Sequence, residues 1–492
     1  MKCRHMWRAV LVILAVQIVL GQHAVGQTKL GLHVTQEELN IWKQRAQSGP
    51  YKSLGDVSPN SPGDWDRITQ NAEWFRSNST EGIVLGPSGA CVNKSFISPP
   101  NTDQVKARKM RDAAFYALVK QDIELKNKVK NLLLSQSTQP NLDFSDRSNW
   151  CVGPGINPEG IWGYAQWLKI LLFAMDYIEI LDPDVFTSNE KTHFRNWFVN
   201  YAEMANENNN ISFNSYFVDR MNDDYTPTPG ADFISIPAYY GSKTFSRYGR
   251  YWNNRRSDVM TNVALIGIKF NIRKLQDDAK RYVKETVRFG VFPEGFVTDF
   301  DRWWKSDGSH IPDLGWQYAH GNIGHVVTIA DALARVGDTE AYDYVTSQGL
   351  YGSEGGQKSL LFAIQSLAKY VDHTFDRYGT DQASQAGDPA YRIDGRYADG
   401  RQNPGLISMV HGNVYYKDPY FKSVYMRKAP GTVPYPGKYQ VISNGPHSPW
   451  QGAAAIYPGV LFMFGDMEGK VWPYPGKELA PPKNLKIMGS SS

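Results

Sequence analysis

Seven stretches of this chain repeat apolar residues at three- and four-residue spacing, and that period constrains the fold more than any other feature. They run Thr102 to Ser135, Gly160 to Leu181, Ser188 to Asn206, Arg256 to Arg273, Leu275 to Arg288, Tyr318 to Val336 and Lys358 to Val371. The spacing predicts a helix with one buried face in each. Pro, Gly, Asn and Asp cluster between them as breakers. No unit of constant period recurs, so the pattern is not that of a self-evident solenoid. Connections such as Asn208 to Arg256 are longer than ordinary helix linkers. A compact bundle has no need of them, whereas a ring of helical hairpins gathers such loops around one open cleft. The expected fold is therefore mainly α, an (α/α) toroid or incomplete helical barrel over residues 27–404.

The texture changes near Gly405. Ser408-Met409-Val410, Asn413-Val414-Tyr415-Tyr416, Lys438 to Ile442 and Val460 to Phe464 are short β-rich runs set off by Pro and Gly. They predict a minor β-rich C-terminal portion, 405–478, packed on the helices. Residues 479–492, with Pro481-Pro482 and Gly489 to Ser492, read as a linker or tail.

At the other end, Lys2, Arg4 and Arg8 precede an apolar run from Ala9 to Gly21, with small residues Ala24 and Gly26 after it. The run is shorter than the roughly 20 residues that span a bilayer. Residues 1–26 are thus expected to be a cleaved signal peptide, giving a secreted protein, extracellular or periplasmic in a bacterium, with no membrane attachment afterwards. Cys3 leaves with the signal. Cys91 and Cys151 remain, and one disulfide or two separate thiols fit the sequence equally. Asn78-Ser79-Thr80, Asn93-Lys94-Ser95 and Asn210-Ile211-Ser212 are glycosylation sequons that matter only in a eukaryotic host.

The formal charge of +4 falls to about +1 without the leader's three cations, so attraction for an acidic partner has to be local. No basic run suits nucleic acid. The 14 Trp and 28 Tyr include Trp303-Trp304, Tyr239-Tyr240 and Tyr415-Tyr416 in polar, Gly-rich surroundings, where sugar rings stack as readily as core side chains do. The oligomeric state is not legible.

Two segments carry the chemistry. Arg250-Tyr251-Trp252-Asn253-Asn254-Arg255-Arg256-Ser257-Asp258 sets an amide pair beside two guanidiniums, directly before an apolar helical run. Guanidinium and amide donors grip a carboxylate in a planar, bidentate way. A helix start adds free N–H groups and the positive end of the dipole. Trp316-Gln317-Tyr318-Ala319-His320 follows about sixty residues later. Asn253 and Asn254 also suit a plain helix cap, and Tyr318 a plain core position.

These residues resemble the alginate-lyase superfamily of (α/α) toroids over roughly Leu30 to Val371. That family has an Asn-Asn-His motif at a helix start, matched by Asn253-Asn254-Arg255. Its Pro-Asp-Gly-like loop with a downstream Arg is matched by Pro293-Glu294-Gly295 and Arg302, and its helix-entering Tyr by Tyr318. The resemblance implies β-elimination on a uronate polymer without a cofactor. Asn254, Arg255 and Arg302 would neutralise the carboxylate, and Tyr318 would act as base and then acid. Asn253, Arg256, Trp252, Trp303, Trp304, Trp316 and His320 would bind the substrate. The family His is Arg255 here, which implies a sugar whose C5–H and O4 share one face, unless His310 supplies a second base.

Two other functions fit parts of the sequence. An inverting glycoside hydrolase would use a carboxylate pair from Glu159, Glu294, Asp299, Asp301 and Asp313. A non-catalytic secreted carbohydrate-binding protein would keep the aromatics and lose the proton transfer. No Gly-x-Ser-x-Gly elbow supports a serine hydrolase. No metal is expected, because His320 and His325 lie five residues apart, off a common helix face.

Overall fold

A computed structural model describes residues 29–52, 64–83, 101–139, 142–146, 159–213, 252–293, 297, 314–349, 352–368, 407–425 and 457–467. The first helix, α1 (Gln36–Arg45), opens with a capping box. Thr35 Oγ1 accepts from Glu38 N at 3.2 Å, and the Glu38 carboxylate accepts from Thr35 N at 2.7 Å. Its buried face carries Leu39 and Trp42, whose indole donates to Met463 O at 2.8 Å. Arg45 donates to Leu461 O, Phe462 O and Gly465 O, satisfying the last carbonyls of a helix more than 400 residues away.

Next come α2 (Asp64–Ser77), α3 (Asn101–Lys120) and α4 (Ile123–Ser137). The single helix expected from Thr102 to Ser135 is thus two. Gln121 turns left-handed at φ 61°, and Asp122 caps the second helix by accepting from Leu125 N at 3.0 Å. So tight a turn leaves the apolar spacing nearly in phase on both sides, which is why periodicity alone hides it. α5 (Glu159–Leu181) and α6 (Ser188–Phe213) follow, then α7 (Asn254–Lys269) and α8 (Arg273–Glu285), separated by left-handed Asn271 at φ 55°. A π-turn, Thr286–Gly290, ends α8.

α9 (Leu314–Ala334) and the short α10 (Glu340–Asp343) lead into the one sheet among the described residues. There β1 (Val345–Gly349) pairs antiparallel with β2 (Gly352–Ser359), with a bulge between Thr346 and Gln348. Lys358, expected to begin a helix, is therefore in a strand, and helix α11 starts only at 360 and runs over 360–368.

The C-terminal expectation is corrected more strongly. Ser408 to Val410 and Asn413 to Tyr416 lie in α12 (Ile407–Tyr416), followed by α13 (Pro419–Tyr425), and Val460–Phe464 is itself a helix, α14. Short apolar runs fit either period. Here burial on all sides decides for the helix: Met409, Val410, Val414 and every residue of α14 are buried. The expected strand at Lys438 to Ile442 lies outside the described residues.

The helices sort into two layers. α3 packs on α5, α5 on α7, α7 on α9 and α9 on α12. α4, α6 and α8 each flank the two helices they connect. α14 touches α12 on one side and α1 and α2 on the other, and α2 packs on α3. Burial follows this layering. α5 is buried continuously from Ile161 to Ile178, and α7 is buried on nearly every face, whereas α8 buries only Leu275, Gln276, Ala279, Tyr282 and Val283. Among the described residues no helix is long and apolar enough to cross a membrane.

Gly267 fixes how closely α7 and α8 approach. A Cβ there would stand 2.8 Å from Leu275 Cβ and 3.2 Å from Gln276 N. Gly267→Ala is expected to lower stability by about 1–3 kcal/mol through overpacking, read as a drop in urea midpoint with unchanged slope. An unchanged midpoint would mean that the helices separate freely.

Candidate functional site

α5, α7 and α9 run parallel, with α5 and α7 beginning at one level and α9 beginning about one helical turn earlier. Trp162 meets Asp258, Ala165 meets Asn262, and Asp176 and Glu179 meet Lys269 further along. Ser257 meets Asn322 and Thr261 meets His325 in the same sense. Three helices therefore turn the positive ends of their dipoles the same way.

Asn253 is the cap of α7. Its side-chain oxygen accepts from Arg255 N and Arg256 N, both at 3.0 Å. This places Asn254, Arg255 and Arg256 in the first turn. Arg255 is half-buried, with its guanidinium 4.9 Å from the centre of the Trp162 ring, and buried Arg256 sits 5.0 Å from the Tyr282 ring. Beneath them Asp258 accepts from Trp162 Nε1 at 3.1 Å and pairs with Lys169, with both charged side chains fully buried. His325 Nε2 is 3.8 Å from the same carboxylate. Burial raises the Asp258 carboxyl and lowers the Lys169 ammonium, while the pair's own attraction opposes both shifts. Burial also holds the His325 imidazole well below its ordinary range, hence neutral.

A hydrogen-bonded chain ties α7 to α9. Ser257 Oγ lies 2.5 Å from Asn322 Oδ1 and 2.7 Å from the Tyr282 hydroxyl, and Asn322 Nδ2 donates to Trp252 O at 2.8 Å. On the α3 side, Arg108 and Arg111 are buried and add their charge to the surroundings of Lys169. Burial beside Arg111 lowers the Arg108 guanidinium to about 10. Arg108, Arg111, Lys169, Arg255 and Arg256 bring five cationic side chains to this group, with Arg111 paired to Asp112 and Lys169 to Asp258. Cationic side chains in such a seam suit an anionic ligand.

The expected site residues divide accordingly. Asn253, Asn254, Arg255, Arg256 and His320 share this end, with His320 wholly buried in α9. Trp252 is buried and tilted against Phe289 at 5.0 Å, so it packs at the start of α7. Trp316 and Tyr318 belong to the opening turns of α9, with Tyr318 one helical turn before Asn322; their side chains lie outside the described residues. So do Arg302, His310, Trp303, Trp304, Cys91 and Cys151.

Sequence reasoning missed Lys169, Trp162, Arg108 and Arg111. Lys169 had a signal, being the one cation in the otherwise apolar run of α5. A cavity of about 530 Å³ opens at the far ends of α5 and α7 by Lys29, Asp176, Glu179 and Lys269. Its carboxylates are already held by Lys269 at 2.6 Å each, which leaves the helix beginnings as the better site. No protein-family model matches the chain, and no curated protein matches it.

Proposed function

We propose that this chain is a secreted polysaccharide lyase that cleaves an acidic, uronate-containing polymer by β-elimination within an (α/α) toroid of the alginate-lyase type. The two-layered packing, with each intervening helix flanking the pair it joins, supports the toroid. One observation carries the chemistry: Asn254, Arg255 and Arg256 occupy the first turn of α7, beside the helix that bears Tyr318.

Asn254 and Arg255, with Arg302, hold the uronate carboxylate and stabilise the negative charge that builds there as C5 loses its proton. Ionised Tyr318 takes that proton. The C5 electron pair forms the C4–C5 double bond as the C4–O4 bond breaks, and Tyr318 returns the proton to the departing O4. Two other phenols near the seam, Tyr164 and Tyr201, are poor bases, since burial raises the first and raises the second well above the ordinary range. With Arg255 where the resembling family has His, the preferred sugars are β-D-mannuronate or β-D-glucuronate, in which one Tyr serves both steps.

The test is near-ultraviolet absorbance during separate incubations with polymannuronate, polyguluronate, glucuronan and pectate. A rise on polymannuronate or glucuronan is expected, because the new double bond is conjugated with the carboxylate. New reducing ends without any rise would replace the lyase with the hydrolase, and retention of the polymer without product would leave a binding protein.

A further inference from the structure

Some distance from the seam, about 9 Å along α9 beyond His325 by helix rise, Asp331 meets His33 and His411 in the core. All three side chains are fully buried, and they come from the segment before α1, from α9 and from α12. Asp331 Oδ2 is 2.7 Å from His33 Nδ1 and 3.0 Å from His411 Nε2. Among the described residues, Asp331 Oδ1 and His411 Nδ1 have no hydrogen-bond partner. Each such atom in a dry core carries a desolvation cost that water or a partner would normally remove.

We propose that His33, Asp331 and His411 form a structural binding site for a divalent transition-metal ion of the zinc type. Two imidazoles and a carboxylate are a donor set that zinc accepts, and Asp331 has two oxygens to offer toward a fourth position. With bonds near 2.0–2.1 Å, tetrahedral ligand atoms stand about 3.3 Å apart. The observed 2.7 and 3.0 Å are shorter by about 0.6 and 0.3 Å, so an opening of about half an ångström accommodates the ion.

The outer groups suit the role. The Tyr457 hydroxyl is 3.4 Å from His33 Nε2, on the side of the ring facing away from Asp331. His411 lies against Phe464 with ring centres 4.3 Å apart, which fixes its plane. Arg335 also touches Asp331 Oδ2, at 2.8 Å, a cation beside the proposed metal. Its charge is offset by a bidentate pair with Glu38, 2.7 Å on both arms, so the site itself retains the Asp331 charge. Such an ion would fasten the start of the helical region to α9 and α12, and its binding free energy would be folding free energy.

The full chain, purified without chelator, is expected to carry about one equivalent of zinc. After chelator treatment, cobalt(II) should restore a visible tetrahedral band saturating near one equivalent, and zinc should raise the unfolding midpoint by at least about 3 °C. The band should disappear in His411→Ala and persist in His193→Ala, a change at an exposed histidine. No bound metal, no cobalt band and a midpoint unmoved by zinc or chelator in the unaltered chain would overturn the site and leave a hydrogen-bonded core knot. Loss of the band in His193→Ala would overturn it equally, by placing the metal elsewhere. Neither of these two results depends on whether the His411 variant folds.

Discussion

Lys169→Met is expected to lower the unfolding free energy by about 3–5 kcal/mol, the usual effect of stranding one member of a buried ion pair. Lys169 and Asp258 are both fully buried, and without the ammonium the Asp258 carboxylate keeps only the Trp162 indole and a neutral His325 nearby. Its carboxyl is already raised by burial, and losing the lysine removes the largest opposing influence. The folded variant will therefore hold a proton that the unfolded chain releases near pH 4. Stability from that proton is present at acid pH and lost as pH rises through the folded value. Urea unfolding should show a larger deficit at mildly alkaline than at mildly acid pH. Lys169→Met combined with Asp258→Leu should recover most of the loss, because two apolar groups need no partner. A single variant as stable as the parent at both pH values would show that the pair carries no such weight.

Tyr318→Phe is expected to lower the turnover number on the preferred uronate polymer by about 10²–10⁴-fold, the range for removing a positioned proton-transfer group. The unfolding midpoint and KM should barely change. Phe keeps the ring and loses only the hydroxyl, so a loss confined to turnover points to proton transfer. A rise in KM with turnover intact would instead make Tyr318 a binding residue and return the base to His310. This result bears on the lyase reading alone, since the proposed metal site shares no residue with the seam.

The mainly helical character of this chain is legible in its sequence. A buried helix face imposes a 3.6-residue period wherever the helix packs, and the starts near Gly160, Ser188 and Arg256 fall within a few residues of the observed ones. The cationic residues at the start of α7 are legible for a local reason. Asn253 caps its own helix, so residues adjacent in sequence stay adjacent in space. The break at Gln121 is not legible, because one left-handed residue turns the chain without disturbing the apolar spacing, whereas the break near Asn271 falls within a few residues of the expected boundary after Arg273. The helices α12 and α14 look like strands in the sequence because five to ten apolar residues satisfy either period, and only burial against α9, α1 and α2 chooses between them.

Long-range polar groups belong wholly to the tertiary structure. Lys169 and Asp258 are 89 positions apart, and His33 and Asp331 are 298. A lone lysine in an apolar run or a histidine before a helix has no visible partner until packing removes water from both. The sequence alone determined which of the longer segments become helices and where the cationic first turn of α7 begins. The tertiary structure alone decided which charges meet, because in a dry interior a charge is tolerated only beside its complement.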